Sequence, residues 1–298
     1  MRALLATSAA CLCLAACGSE ESAPEPADAG DFSGERAFAD LEAQVAIGPR
    51  PSGSRGSRRT QELIADRLAQ AGVDFVDRQR PYANVIGALR GSEPGVVVVG
   101  AHYDTKSGIP GFLGANDGAS GVAVLLELAR TLPRPLPGPA VQLVFFDAEE
   151  ARGDRPFELD GTRGSRQYVE YAFAGGEQGS APLAQIRAMV LFDLVGDCEL
   201  QIPLEANSDP GLYGLFAAAA AQTSADSPFE GQSGPAADDH VPFLEAGVPA
   251  VDLIDFVFGP GPTPGAYWHT PEDTLDKVCP ESLDAVGEAA LVAIPGIR

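Results

Sequence analysis

Lysine, tryptophan and histidine are scarce in this sequence. Its 298 residues include three histidines and one tryptophan, and the only lysines are Lys106 and Lys277. The formal net charge is −22. Because a nucleic-acid-binding surface needs a high density of cationic side chains, this balance argues against DNA or RNA as a partner. With so few histidines, their positions relative to the acidic residues become informative.

The N-terminal apolar stretch, residues 3–16, is too short to span a membrane as a helix. It follows a positively charged start and has the length of the apolar region of a signal peptide. It leads into Leu-Ala-Ala-Cys at 14–17, which resembles the lipobox of bacterial lipoproteins. On that resemblance, residues 1–16 are a signal peptide and Cys17 carries a lipid. The alternative is an ordinary secretory signal with an incidental cysteine.

Residues 17–34 consist mainly of Ser, Glu, Pro, Ala, Asp and Gly. Such a composition buries too little apolar surface to fold, so we predict a flexible tether. Lipidated Cys17 would attach the protein to the bacterial cell envelope, on the periplasmic side of a membrane. The remaining residues, 35–298, are expected to form one catalytic domain, since 45% hydrophobic content supports a sizeable core.

Two cysteines remain once the signal peptide and the acylated residue are set aside. They are Cys198 and Cys279, because Cys11 and Cys13 lie in the signal peptide. In an oxidising compartment they could form a disulfide, or they could be two separate buried thiols. Their distance is not readable from the sequence, so both possibilities stay open.

Short apolar runs alternate with amphipathic segments along the chain. The runs predict strands at 73–76, 85–89, 96–99, 141–146, 188–194 and 250–254. The amphipathic segments predict helices at 38–45, 60–71, 120–132, 164–171, 212–221 and 283–293. Strands that alternate with helices indicate an α/β fold, a three-layer αβα domain with a mainly parallel twisted central sheet.

Polar side chains follow several of these predicted strands. In such sheets, ligands bind beyond the carboxyl ends of the strands. Each polar residue alone has a structural explanation, such as a helix cap or a buried histidine. Together they are Asp, Glu and His side chains of the kind that bind zinc. The residues are His102, Asp104, Asp117, Glu149, Glu150, Asp193 and His269.

The adjacent pair Glu149 and Glu150 follows the strand predicted at 141–146. Like charges this close raise one another's pKa unless a cation separates their roles. A metal would do so, because one carboxylate could bind it while the other stays free to move protons. The pair therefore fits a metal site only together with further ligands from the rest of the chain.

Several motifs resemble the zinc aminopeptidase superfamily, in the same order along the chain. They are HYDTK, NDGASGVAVLLELAR, FFDAEEA, a GSR, LFDLVG, DDHVPFLEAGVP and WHTPEDT, and the resemblance runs from about residue 48 to the C-terminus. Two groups of this superfamily are candidates. One is the di-zinc aminopeptidases. The other is the animal-type glutaminyl-peptide cyclotransferases, which share the fold and have a one-zinc site.

Three features resemble the cyclotransferases more closely. The segment between Glu150 and the GSR at 164–166 is long, as it is in that family. The DDHVPF sequence at 238–243 is similar to the cyclase DDHIPF segment. Trp268 directly precedes His269, where the cyclases have a tryptophan beside a zinc ligand.

The chain also departs from the cyclotransferase pattern. The cyclases have a second tryptophan in the segment after the Glu pair, whereas residues 152–157 have none and offer Arg155 or Phe157 instead. They also have a histidine where this chain has Asp252. The loop before Trp268 is longer than expected. These departures bear on the substrate pocket rather than on the metal ligands.

The cyclotransferase resemblance implies a role for each matching residue. Asp117, Glu150 and His269 would bind one Zn²⁺, and Glu149 would be the general base and acid. Asp193 and Asp238 would form a hydrogen-bonded pair, and Trp268 would line the substrate pocket. His240 would either support the site or lie in a solvated loop. The substrates would be peptides or proteins with a free N-terminal glutamine, or more slowly glutamate, and we expect a monomer.

The aminopeptidase resemblance implies two zinc ions. His102 and Asp193 would then bind the second ion, Asp117 would bridge both, and Glu149 would activate a water molecule. In both cases we expect His102 and Asp104 either to bind a second metal ion or to support the residues that bind the first. A third possibility is a lipid-anchored binding protein that has kept the fold and lost the activity; the complete set of ligands argues against it.

Overall fold

A six-stranded mixed sheet forms the centre of the molecule in the computed structural model, which describes residues 31–223 and 227–298. The sheet order is β1-β2-β4-β3-β5-β6. Pairs β3–β4, β3–β5 and β5–β6 are parallel, and pairs β1–β2 and β2–β4 are antiparallel. The strands are β1 Phe75–Arg78, β2 Val85–Leu89, β3 Val96–His102, β4 Ala140–Phe146, β5 Ile186–Asp193 and β6 Ala250–Ile254.

Helices cover both faces of the sheet. They are α1 Gly34–Val45, α2 Arg55–Gln70, α3 Ser120–Thr131, α4 Phe157–Asp160, α5 Arg163–Phe173, α6 Pro210–Thr223, α7 Val241–Glu245 and α8 Pro280–Ala293. Helices α1, α2, α3, α6 and α8 share one core with the sheet, whereas α5 and α7 share the other. The predicted three-layer α/β fold is confirmed.

The central strand β3 is covered on both faces, which explains the uninterrupted apolar run at 96–99. All seven of its residues are buried. Val97 and Val99 belong to one core, and Val96 and Val98 belong to the other. Successive side chains of a strand point to opposite faces, so a continuous run of valines fills both layers at once.

Helix α2 begins earlier than predicted. It starts at Arg55 rather than at residue 60, although residues 48–57 are rich in Gly, Pro and Ser. The reason is local capping: the hydroxyl oxygen of Ser54 accepts a hydrogen bond from the backbone N–H of Ser57 at 3.0 Å. Such a cap satisfies one of the free N–H groups at the start of a helix.

Strand β1 and the short helices differ from the expectations. Strand β1 spans Phe75–Arg78 rather than 73–76, because its register with β2 begins at the pair Phe75 and Ala88. Helices α4 and α7 are four and five residues long and were not predicted. Helices this short are less than two turns and have no measurable periodicity.

The packed domain begins before the predicted boundary at residue 35. Phe32 is 5% exposed. Its ring approaches Gly287 of α8 so closely that a Cβ there would lie 2.2 Å from it. The last residues of the predicted 17–34 tether are therefore part of the fold. The predicted signal peptide and Cys17 lie outside the described residues.

Cys198 and Cys279 form a disulfide, with Cα atoms 4.8 Å apart. The pairing settles the alternative that the sequence left open. It joins the loop after β5 to the start of α8, beside a backbone hydrogen bond from Cys279 to Gly196. Among the residues that the structure describes, no helix has the length and apolar character needed to cross a membrane.

Candidate active site

The sheet topology opens a crevice at the carboxyl ends of its central strands. Strand β3 lies in the middle, with β4 on one side and β5 on the other. Connections that leave a strand in opposite directions create such a crevice, where ligands bind in open α/β sheets. His102 is the last residue of β3, Asp193 is the last of β5, and the Glu pair follows β4.

Three of the predicted ligands meet in one group: Asp117, Glu150 and His269. Nε2 of His269 lies 2.9 Å from Oε1 of Glu150 and 3.3 Å from Oδ2 of Asp117. Burial would lower the pKa of His269, but its close contacts with the carboxylates of Asp117 and Glu150 raise it to about 9. One imidazole and two carboxylates thus converge on one point from three different loops.

A second group shares Asp117 with the first. It consists of His102, Asp117 and Asp193. Nε2 of His102 lies 3.3 Å from Oδ1 of Asp117 and 3.2 Å from Oδ1 of Asp193. Burial would lower the pKa of His102, but hydrogen bonds with Asp104, Asp117 and Asp193 raise it well above its ordinary value.

The polar atoms in these groups fit a bound cation. Oδ2 of Asp117 and Oε2 of Glu150 are buried, and within the described part of the chain neither has a hydrogen-bond partner. Their nearest basic groups are Nε2 of His269 at 3.3 Å and Nζ of Lys106 at 3.5 Å. Buried carboxylate oxygens normally have such partners or coordinate a metal. One His and two carboxylates are also a ligand set found at catalytic zinc sites. The residues therefore could hold a divalent metal ion.

Two further carboxylates orient the ligands through backbone N–H groups. Asp104 accepts the N–H of Glu149 at 3.1 Å. Asp273 accepts the N–H groups of Asn116 and Asp117, at 2.7 and 3.0 Å. Burial, followed by the charge of Asp117, raises the pKa of Asp273 to about 7. Asp104 was predicted near the site, whereas Asp273 was missed although it lies in the WHTPEDT motif.

A buried arginine that the sequence analysis missed joins the loops around Asp117. The guanidinium of Arg50 is fully buried and donates to the carbonyl oxygens of Tyr103, Leu113 and Gly114, at 3.2, 2.7 and 2.8 Å. Burial lowers its pKa to about 10 although Asp273 and nearby carboxylates oppose this. The GPRPSGS sequence around Arg50 has no periodic pattern from which these long-range hydrogen bonds could have been predicted.

Backbone strain is concentrated at the same edge of the sheet. Ala148, Leu194 and His269 have positive φ values of 59°, 49° and 52°. Ala148 precedes the Glu pair, and Leu194 follows Asp193. Such conformations are unfavourable for residues other than glycine, and they persist where the surrounding structure enforces them. The fold thus holds the backbone at these three residues in conformations that a relaxed chain would avoid.

Glu149 is set apart from its neighbour. It is 7% exposed, and Oε2 lies 3.9 Å from Nδ1 of His102. Burial raises the pKa of Glu149 well above its ordinary value; His102 lowers it, and Glu150 and Asp238 add to the increase. A carboxyl group in such surroundings can hold a proton and release it, as a general acid and base must.

A cavity of about 290 Å³ opens above these groups. The indole of Trp268 stacks on the imidazole of His269, with ring centroids 3.7 Å apart, and Phe256 contacts Trp268 edge to face. The lining residues are His102, Lys106, Asp117, Glu149, Glu150, Phe157, Glu158, Asp193, Pro235, Ala236, Ala237, Asp238, Ile254, Phe256, Trp268 and His269. An apolar wall therefore faces a floor of carboxylate and imidazole groups.

The long segment after the Glu pair contributes Phe157 to this wall. Arg155, the other residue considered there, instead lies 3.1 Å from Asp160. Asp160 also pairs with Arg152 and Arg163. Hydrogen bonding to Arg152 is the main cause that lowers the pKa of Asp160 below its ordinary range. The charged side chains thus fold the segment back and leave its phenylalanine facing the cavity.

Asp193 and Asp238 line the same cavity, and the hydrogen-bonded pair that the resemblance implies stays a prediction. Burial, then the charges of Asp252 and Asp193, raises the pKa of Asp238 well above its ordinary value. His240 does not lie in a solvated loop: it is fully buried between Glu205 and Asp252. The structure therefore brings together the predicted site residues, while their chemical roles stay predictions.

A sheet with carboxylate and imidazole side chains at its strand ends is the arrangement expected of the zinc-aminopeptidase-like superfamily. The model of peptidase family M28 matches residues 84–294, and the chain belongs to this family. This confirms the superfamily inferred from the motifs.

Named relatives include both cyclases and peptidases. The chain is 30% identical over 287 residues to the glutaminyl-peptide cyclotransferase of Bothrops jararaca, covering 82% of this chain and 76% of the relative. An Acidobacteriales bacterium glutaminyl cyclase superposes with a TM-score of 0.80 at 32% identity, covering 93% and 98% of the two chains. A Zn-dependent exopeptidase from Parabacteroides distasonis has a TM-score of 0.74 at 25% identity, covering 88% and 98%.

Proposed function

We propose that this enzyme is a glutaminyl-peptide cyclotransferase, which converts the N-terminal glutamine of a peptide to pyroglutamate and releases ammonia. The main structural support is the wall formed by Trp268 directly above His269. It creates an apolar pocket beside the candidate metal ligands and Glu149. The similarity to relatives named as glutaminyl cyclases agrees with this activity.

The metal is proposed to be one Zn²⁺, held by Asp117, Glu150 and His269. The buried oxygens without hydrogen-bond partners among the described residues, and the one-His, two-carboxylate set, support this choice. When bound there, zinc would act as a Lewis acid toward the side-chain carbonyl of the substrate glutamine.

Glu149 is proposed to move the proton. The neutral α-amine of the substrate attacks the γ-carbonyl carbon, and a ring C–N bond forms. The carboxylate of Glu149 accepts the proton that the amine loses, and then returns it to the departing amide nitrogen as the C–N bond to ammonia breaks. The proton is thus conserved within one cycle and no water is consumed.

Asp193 and Asp238 are proposed to bind the departing nitrogen. Their shared position in the cavity and the raised pKa of Asp238 support a pair that holds one proton between two carboxyl groups. Trp268, Phe256 and Phe157 would enclose the forming ring and exclude water. An enclosed apolar pocket favours attack by the internal amine, because hydrolysis of the same amide requires water.

The natural substrates are proposed to be peptides or proteins with a free N-terminal glutamine. We also propose a monomer that is lipid-anchored through Cys17 on the periplasmic side of a bacterial membrane. The support for the anchor is the lipobox-like sequence at 14–17. Labelling of the wild-type protein with a fatty acid, compared with Cys17→Ser, tests it.

A di-zinc aminopeptidase is the second candidate. The group of His102, Asp117 and Asp193 favours it, since it could hold another cation beside the first. The structural similarity to a Zn-dependent exopeptidase points the same way. In that enzyme Glu149 would activate water against a peptide bond.

One experiment distinguishes the two candidates. The soluble domain, residues 31–298, is given a Gln-peptide and a Leu-arylamide in parallel, and ammonia and arylamine are measured. We expect ammonia and a pyroglutamyl product from the first and no arylamine from the second. Rapid arylamine release without cyclisation would reject the cyclotransferase in favour of the aminopeptidase.

A further inference from the structure

A buried carboxylate outside the cavity contacts both ends of the segment that carries Asp238. Oε1 of Glu205 accepts the backbone N–H of Ala236 at 2.7 Å. Oε2 of the same residue lies 3.4 Å from Nε2 of His240. Residues 236–238 line the cavity. The side chain of Glu205 therefore contacts the chain both before Asp238, at Ala236, and after it, at His240.

The turn that carries Glu205 reinforces this connection. Oε1 also accepts the N–H of Asn207, and Oε2 accepts the hydroxyl of Ser208, at 3.0 and 2.9 Å. The side-chain amide of Asn207 donates to the carbonyl oxygen of Ala236 at 3.1 Å. Both oxygens of Glu205 are thus occupied, and its position relative to the 236–240 segment is determined by several contacts.

His240 is placed between two carboxylates. Neither it nor Glu205 has any exposed side-chain surface, and Nδ1 of His240 lies 3.7 Å from Oδ2 of Asp252. Asp252 belongs to β6, and its N–H donates to Ser208 at 2.9 Å. In the described ranges neither ring nitrogen of His240 has a hydrogen-bond partner. The imidazole is therefore held by its burial between Glu205 and Asp252 rather than by hydrogen bonds of its own.

Residues 234–237 have no regular secondary structure. The position of Asp238 therefore depends on side-chain contacts rather than on a helix or strand. We infer that Glu205, acting through Ala236 and His240, is a positioning residue for Asp238 in the reaction. The inference rests on the proposed function, because it assumes that the location of Asp238 limits turnover.

The test is a double-mutant cycle with Glu205→Gln and Asp238→Asn. The glutamine keeps the size and one acceptor oxygen of Glu205 but removes the charge that faces His240. We expect Glu205→Gln to lower kcat for Gln-peptide cyclisation by about 10–100-fold, with the zinc content unchanged. In the Asp238→Asn background it should lower kcat no further, because residues that act as one unit are not additive.

A matched control is Glu127→Gln in α3. Glu127 is equally buried and is paired with Arg130 at 2.8 Å, and its side chain does not line the cavity. It should reduce stability without interacting with Asp238→Asn. A milder variant, Asn207→Ala, removes only the contact to the carbonyl of Ala236, and should lower kcat in the wild type alone.

An equal loss of kcat in both backgrounds, or a loss of zinc in Glu205→Gln, would overturn the inference. If Glu205→Gln fails to fold, the Asn207→Ala cycle decides by the same criterion. These outcomes differ from failure of the proposed function, in which the wild-type enzyme itself would not cyclise Gln-peptides.

Discussion

Glu150 and His269 lie 119 positions apart in the chain, yet Oε1 of Glu150 is 2.9 Å from Nε2 of His269. Glu149, the next residue, instead faces His102 at 3.9 Å. Two adjacent carboxylates therefore enter two different environments. Replacing them should have different consequences.

Glu149→Gln should leave zinc bound and lower turnover by about 10²–10⁴-fold, since it removes the proton carrier and keeps the ligands. Glu150→Gln should weaken zinc binding, because a carboxylate ligand loses its charge, and excess zinc should partly restore activity. Bound zinc and Gln cyclisation are measured for both variants. If Glu149→Gln loses its metal and Glu150→Gln keeps it, the two roles are reversed.

The structure has two groups that could each hold a metal ion, and the cyclotransferase proposal predicts that only one of them is filled. We expect elemental analysis of the active domain to give one zinc per chain. His102→Ala should lower activity, because it disturbs Asp117 and Asp193, and should leave that zinc bound. Loss of a tightly bound second zinc on this substitution would instead favour the aminopeptidase.

Arg50→Met should weaken zinc binding by about 10–100-fold, since Arg50 holds the loop before Asp117. It should also reduce the free energy of unfolding by about 3–5 kcal/mol, because it leaves buried carbonyl and carboxylate groups without their cation. Chelator competition and urea unfolding measure the two effects. Arg155→Met, at an arginine with 59% of its side chain exposed, is the control and should change neither quantity much. Unchanged zinc affinity in Arg50→Met would contradict this role.

Removing residues 1–30 should preserve the fold and the activity, whereas Phe32→Ala should lower the free energy of unfolding by about 3–5 kcal/mol. The reason is that Phe32 is buried against Gly287. Phe173→Ala is the matched control, since Phe173 is 74% exposed. Equal unfolding midpoints in urea for the two alanine variants would show that Phe32 does not belong to the core.

Asp255 should make stability depend on pH. Burial raises its pKa from 3.8 to about 6, although backbone hydrogen bonds oppose the change. The folded state therefore favours the protonated form, and the associated stability is present below about pH 4 and is lost as the pH rises through 6. Relative to Asp255→Asn, the zinc-free wild type should lose at most roughly 3 kcal/mol between pH 4 and 8. Urea unfolding across this range measures it, and a constant difference would refute the prediction.

The pattern of residues along the chain was enough to predict the fold class and the edge of the sheet that carries the site. Runs such as 96–99 specify strands buried on both faces, and the carboxyl ends of neighbouring parallel strands must meet at one edge. Polar residues that directly follow such strands are therefore close in space wherever the exact strand ends fall. This is why His102, the Glu pair and Asp193 could be grouped before their distances were known.

Only the tertiary structure decided the contacts that join distant loops. The pairing of Cys198 with Cys279, the hydrogen bonds of Arg50, and the two contacts of Glu205 all connect segments without a shared periodicity. Their partners are mostly backbone groups or single side chains in irregular loops, and such groups leave no pattern along the chain. Local periodicity specifies helices and strands because it repeats, whereas a contact made once depends on how the whole chain packs.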